Sequence, residues 1–136
     1  MNSLYETSSG FKTISFISAI LAGNNHTCAI LDNTSVKCWG RNNYGQLGID
    51  NTTNDEDTTT ANMGDNSGEM AQLTSINLGT GRTATAIVVA NHTCALLDDA
   101  SVKCWGKNNY GQLGIENSTH MGDNSSEMAQ LTGIDL

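Results

Sequence analysis

The chain has 136 residues, the length of one ordinary domain, and a formal charge of −8 from 14 acidic and 6 basic residues. That balance excludes the basic stripe that nucleic-acid binding requires and disfavours an anionic membrane surface. With 38% hydrophobic and 5% aromatic residues, 14 glycines and no proline, the core must be assembled from small aliphatic side chains.

Residues 1–8 read as an N-terminal extension. The stretch ISFISAILAG, Ile14 to Gly23, is the longest apolar run and is too short to insert across a bilayer. It resembles the apolar part of a signal peptide, but Lys12 and Glu6 precede it and no clean cleavage pattern follows. It stands before His26 as TATAIVVA stands before His92, so it reads as the strand that opens a repeat. A signal peptide is not expected within this chain.

The repeat organises everything that follows. HTCAILDNTSVKCWGRNNYGQLGI begins at His26 and HTCALLDDASVKCWGKNNYGQLGI at His92, with 20 identities in 24 positions. A second block, MGDNSGEMAQLTSINL from Met63 and MGDNSSEMAQLTGIDL from Met121, shares 13 of 16 positions. Unit 1 therefore spans 9–78, with an inserted polar loop at 51–62, and unit 2 spans 79–136. Within a unit, HTCALL reads as a strand, DDAS as a turn, VKCWG as the returning strand and KNNYGQLG as a loop. EMAQLTGIDL reads as a last strand in preference to a short helix. The expected fold class is all-β, with two blade units of about four antiparallel strands each, as in a β-propeller.

Cys94 and Cys104 lie ten positions apart with Asp99 midway, and Cys28 and Cys38 do the same around Asn33. A hairpin centred there sets each pair directly opposite, with Cα atoms about 4.5 Å apart in a non-hydrogen-bonded pair. One disulfide per unit is the leading reading. Buried free thiols remain open, as does a metal site using His-x-Cys and the second Cys, although the spacing fits no zinc pattern. No metal and no cofactor is expected. His26 and His92 share a face with the first Cys of each unit and have no triad-like partner. They read as packing residues, so no catalytic residue is assigned and the chain is not expected to be an enzyme. Trp39 and Trp105 are read as packing between units. Gly45, Gly48, Gly111 and Gly114 are read as turn glycines of a repeat core. The acidic tracts at 50–57, 63–66 and 121–124 offer oxygens to Ca²⁺ but lack the EF-hand order, and read as solvated loops.

Six Asn-x-Ser/Thr sequons are candidate glycan sites: Asn25, Asn33, Asn51, Asn91, Asn117 and Asn124. Asn51 and Asn117 are the favoured ones because each follows the Gly-Gln-Leu-Gly loop. Together with paired cysteines, they point to the outside of the cell or a secretory compartment.

The twice-repeated pattern His-Thr-Cys … Val-Lys-Cys-Trp-Gly-x-Asn-x-x-Gly-Gln-Leu-Gly resembles the repeat of the regulator-of-chromosome-condensation family, and its Cys-bearing form resembles secreted or cell-surface branches. The resemblance covers both units and implies a seven-bladed β-propeller. It departs at Val89, where unit 1 has Gly23, and at Thr34 and Ala100, where the family has a hairpin glycine. Positive φ is costly at such residues. Two units are not seven, and about three repeats are normally needed for stability. Either this is a piece of a larger propeller, or chains self-associate into rings or filaments. The expected function is a non-enzymatic extracellular interaction or structural module with a protein partner, possible glycans, no nucleic acid and no membrane insertion. The resemblance also implies two alternatives: a guanine-nucleotide exchange factor for a small GTPase, and a propeller-type inhibitor of an enzyme.

Overall fold

The computed structural model describes residues 3–7, 10–50 and 62–136. The inserted loop up to residue 61, with its sequon at Asn51, lies outside the described residues. Strands β1 (Ser3–Thr7) and β2 (Gly10–Ile14) pair as an antiparallel hairpin.

Two three-stranded sheets follow. The first is β3 (Ile17–Ala22), β4 (His26–Leu31) and β5 (Val36–Gly40), paired antiparallel in that order. The short helix α1 (Glu69–Gln72) comes next. The second sheet repeats the first, with β6 (Ala84–Val89), β7 (His92–Leu97) and β8 (Val102–Gly106), and α2 (Glu127–Gln130) follows it. The run Ile14–Gly23 thus supplies the opening strand β3, as TATAIVVA supplies β6.

The register matches the sequence-based expectation. Cys28 lies opposite Cys38 and Cys94 opposite Cys104. The hairpin tips need left-handed backbone without glycine: Thr34 sits at φ 67° and Ala100 at φ 68°. Local hydrogen bonds hold the tip. Asp99 Oδ1 accepts from the Ser101 amide at 3.0 Å and from its hydroxyl at 2.6 Å, and Asn33 does the same for Ser35. These bonds, with Arg82 at 2.9 Å, pull the Asp99 carboxyl down to about 2.

The expected last strand is not one. Gly40 exchanges backbone bonds with Met63 at 2.8 and 3.0 Å, and the Ile76 amide donates to the Val36 carbonyl at 2.9 Å. The chain returns along β5 at both ends and leaves it between, where Glu-Met-Ala-Gln forms α1. These four residues are good helix formers. Unit 2 does the same, with Gly106 bridging Met121 and Ile134 donating to Val102 at 2.8 Å.

Side chains alternate across each sheet, giving a cysteine face and a tryptophan face. The core lies between the units. Cys28, Ile30, Val36 and Cys38 on the cysteine face of unit 1 are buried against Ile87, Ala95, Leu97 and Trp105 on the tryptophan face of unit 2. Leu47 and Met128 join the same cluster.

Candidate functional site

The seam between the units gathers the repeated motif's polar residues. His26 starts β4 and is almost fully buried. Its Nε2 lies 2.7 Å from the Thr93 hydroxyl of β7. That hydroxyl donates to the Gln46 carbonyl at 2.9 Å, so its single proton is used there. His26 therefore carries its proton on Nε2 and donates to Thr93, leaving Nδ1 without a hydrogen bond among the described residues. Burial, helped by the nearby His92, lowers the His26 pKa to about 4. The imidazole is neutral, as a packing residue should be. Trp105 Nε1 donates to the same Gln46 carbonyl at 3.2 Å.

The Asn-Asn-Tyr-Gly-Gln-Leu-Gly loop of unit 1 is shaped from within and docked from without. Asn42 is buried and its Oδ1 accepts from the Leu47 amide at 3.0 Å, while Gln46 Oε1 accepts from the Tyr44 amide at 2.9 Å. Gly45, at φ 75°, presses on residues 121–123, where a Cβ would come within 2.4 Å of the Asp123 amide nitrogen. Gly48 lies against the Trp105 ring, and a Cβ there would meet Nε1 at 2.7 Å. Tyr44 packs edge-on to His120, with ring centroids 4.9 Å apart, under the Lys107 ammonium at 5.1 Å. Asp50 Oδ1 caps the seam by accepting from the Met128 amide at 3.0 Å.

Each unit closes its hairpin with a disulfide, Cys28–Cys38 and Cys94–Cys104, with Cα atoms 4.1 Å apart in both. All four cysteines are thereby used. The Met-Gly-Asp-Asn tracts, read as solvated acidic loops, have a local job. Glu69 Oε2 accepts from the amides of Gly64, Asp65 and Asn66 at 2.8–3.1 Å. Glu127 grips residues 122–124 in the same way. These amide bonds, led by that of Asn66, hold the Glu69 pKa below the usual carboxylate range. Burial works against the charge of Glu127, yet the amides outweigh it and its pKa is lowered too. Asp123 beside it is pushed up to about 6 by burial and by the neighbouring Glu127.

The predicted site residues thus divide. His26, Gly45, Gly48 and Trp105 meet in the seam. Their counterparts His92, Gly111, Gly114 and Trp39 do not. Trp39 is half-buried, and Gly111 has no atom within 4 Å of where a Cβ would stand, other than its own chain neighbours. Asn25, Asn33, Asn91, Asn117 and Asn124 are all exposed, including the two at strand starts. Asn124 Nδ2 donates to Asp123 and Glu127 at 3.1 Å, so the nitrogen a glycan would use is engaged. Thr93 and the Gln46 carbonyl are seam groups that the sequence did not single out, whereas the loop Asn and Gln side chains satisfy loop backbone as their place in the repeated loop suggests. Asn108 Oδ1 repeats the Asn42 bond, accepting from Leu113 at 3.0 Å.

Two antiparallel sheets stacked face to face, with the loop of the first docked on the second, define consecutive blades of a β-propeller. The blades are of one particular kind: the chain is built of regulator-of-chromosome-condensation (RCC1) repeats. The model of that repeat matches residues 17–46 and 88–112. The chain is 31% identical over 119 residues to protein RCC2 of Mus musculus, covering 85% of this chain and 19% of the relative. It is 30% identical over 103 residues to the ultraviolet-B receptor UVR8 of Arabidopsis thaliana, covering 76% and 20%. It is 29% identical over 99 residues to the X-linked retinitis pigmentosa GTPase regulator of Canis lupus familiaris, covering 73% and 9%. Among solved structures, human WBSCR16 superposes with a TM-score of 0.65 at 18% identity, covering 89% of this chain and 26% of that one. Yeast RCC1 (Prp20), solved bound to Kap60, superposes with a TM-score of 0.60 at 17% identity, covering 93% and 26%. The chain spans a fifth or less of the length of the curated relatives it matches.

Proposed function

We propose that this chain is a non-enzymatic protein-binding module that works outside the reducing cytosol. One observation carries the reading: most of the polar groups suggestive of chemistry are bonded within the fold. His26, Thr93, Gln46 and Trp105 bond to one another across the seam. The cysteines are oxidised, and Glu69 and Glu127 hold their own loops. Recognition then falls to the exposed loops and blade faces. Relatives support a protein partner. Prp20 is named in solved structures for its complex with Kap60 and for its binding to Gsp1p and histones, and another relative is named a GTPase regulator. The hairpin disulfides and the exposed sequons at Asn25, Asn33 and Asn91 support an oxidising compartment.

Peptide mass mapping of native, unreduced protein tests the compartment. Both disulfides and glycan on at least one of these asparagines are expected. Four free thiols and bare asparagines overturn it. Affinity capture on the intact chain, with a nucleotide-release assay on any GTPase captured, tests the partner. Turnover of a small-molecule substrate by the chain alone overturns the non-enzymatic reading.

A further inference from the structure

The two units are near copies, so equivalent residues should have equivalent surroundings unless a neighbour is present on one side only. The differences between equivalents form a pattern. Met128 is fully buried at the seam, while its counterpart Met70 is 47% exposed. Ile30 is 6% exposed, while its counterpart Leu96 is 41% exposed. Tyr44 is packed under Lys107 against His120, while its counterpart Tyr110 is 89% exposed.

The seam joins the cysteine face and loop of unit 1 to the tryptophan face of unit 2. Each open position belongs to one of the two surfaces that remain. The tryptophan face of unit 1 is open, with Ile17 and Ile20 exposed. Beside it is a cleft of about 420 Å³, lined by Trp39, Gly40, Arg41, Asn62, Met63 and Asp65. This cleft is the counterpart of the place in unit 2 that Tyr44 and Gly45 fill. The cysteine face of unit 2 is open as well, with Val88 and Leu96 exposed over a wholly apolar hollow. Its loop, residues 108–114, keeps the docking shape through Asn108 and Gln112.

We propose that a second copy of this chain completes the seam head to tail: the cysteine face and 108–114 loop of one copy dock on the tryptophan face of unit 1 of the next. Tyr110 enters the cleft beneath Arg41, as Tyr44 lies beneath Lys107. Trp39 Nε1 donates to the Gln112 carbonyl, as Trp105 does to that of Gln46. His92 meets Thr27, as His26 meets Thr93. Glu116 reaches the Met70 amide, as Asp50 reaches that of Met128. The occupant is read from the seam already formed, whose two halves this chain presents again, unjoined, at opposite sides. Such a contact is heterologous, so it propagates into a ring or a filament. It goes beyond the protein-binding reading and stands or falls whether or not another protein binds.

The test uses the 136-residue chain in sedimentation velocity, with Val88→Asp to spoil one surface and Ile20→Asp to spoil the other. Both sites are exposed, so each variant keeps its blade fold, checked by far-UV circular dichroism and intact disulfides; Tyr110→Ala serves as a second variant of the unit 2 surface. The wild type is expected to assemble beyond its 14.4 kDa mass with rising concentration. Each variant alone should self-associate more weakly by about 30-fold. A mixture of Val88→Asp and Ile20→Asp should form a one-to-one dimer through the two surfaces left intact. A folded wild-type monomer up to about 100 µM overturns the proposal and leaves the surfaces to other blades or another partner. Variants that self-associate like the wild type, or a mixture that stays monomeric, also overturn it.

Discussion

His26 makes the stability of this protein depend on pH in a direction that can be worked out. Its folded-state pKa is about 4, against an ordinary value of 6.5, because the ring is buried in the seam and lies near His92. Between those values the unfolded chain binds a proton that the folded chain refuses. Stability therefore rises with pH across this window and is lost as pH falls from 6.5 toward 4. The whole shift corresponds to about 3 kcal/mol, of which about 2 kcal/mol is lost between pH 7.5 and pH 5. His92 and His120, also lowered by burial, act in the same direction. Asp123, raised to about 6, acts oppositely, since its folded form holds a proton the unfolded form has lost. The wild-type slope is thus a sum, and the contribution of His26 is isolated by difference. His26→Gln keeps an N–H donor for the Thr93 hydroxyl and removes the titration. Urea unfolding of both proteins at pH 5, 6 and 7.5, followed by circular dichroism, gives the comparison. The variant is expected to lose about 2 kcal/mol less than the wild type on going from pH 7.5 to pH 5. Parallel pH profiles, or a His26 resonance titrating near 6.5, would refute the reasoning.

Three further outcomes are expected. Trp105→Ala empties the buried side of the seam and should cost about 3–5 kcal/mol in urea unfolding, whereas Trp39→Ala, at the open cleft, should cost less than half as much. Thr34→Gly and Ala100→Gly relieve a left-handed backbone that costs about 1–2 kcal/mol for a residue with a Cβ, and after glycine's own entropy each should raise stability by about 0.5–1 kcal/mol. Replacing Cys94 and Cys104 together by alanine opens a ten-residue loop and should cost about 2–3 kcal/mol, read as a lower urea midpoint than that of the oxidised parent.

The sequence shows what is local and repeated, and hides what crosses between the copies. The hairpin register follows from the ten-residue cysteine spacing and an alternating strand, so both disulfides were legible. The turn residues Thr34 and Ala100 looked like obstacles because glycine is the usual solution. Asn33 and Asp99 supply another, each gathering two hydrogen bonds from the serine two places on. The strand expected at Glu-Met-Ala-Gln misreads a turn of helix. Its signal was the Asn-x-x-Glu spacing in both units, since Glu69 and Glu127 reach back to the amides before them much as a capping glutamate does. Thr93 and Gln46 could not be found this way. They are 47 residues apart, chemically ordinary, and become partners only when one blade lies on the other.

That last point bears on why the motif is duplicated. A His, a Thr, a Trp and a loop carbonyl make a joint only when the His and loop come from one blade and the Thr and Trp from the next. A single copy holds both halves on opposite faces and cannot join them to each other. Two copies make one joint and leave one half-joint of each kind, which is why Trp105 is buried and Trp39 is not. The same side chain is thus buried in a joint in one unit and half-buried in the other, and residue identity alone cannot separate the two settings. In a chain of repeats, unjoined faces are found by asking which repeated residues lack the surroundings their counterparts have. Here that comparison selects Tyr110, Leu96 and Met70 over the strictly repeated His, Cys and Trp that first attract attention.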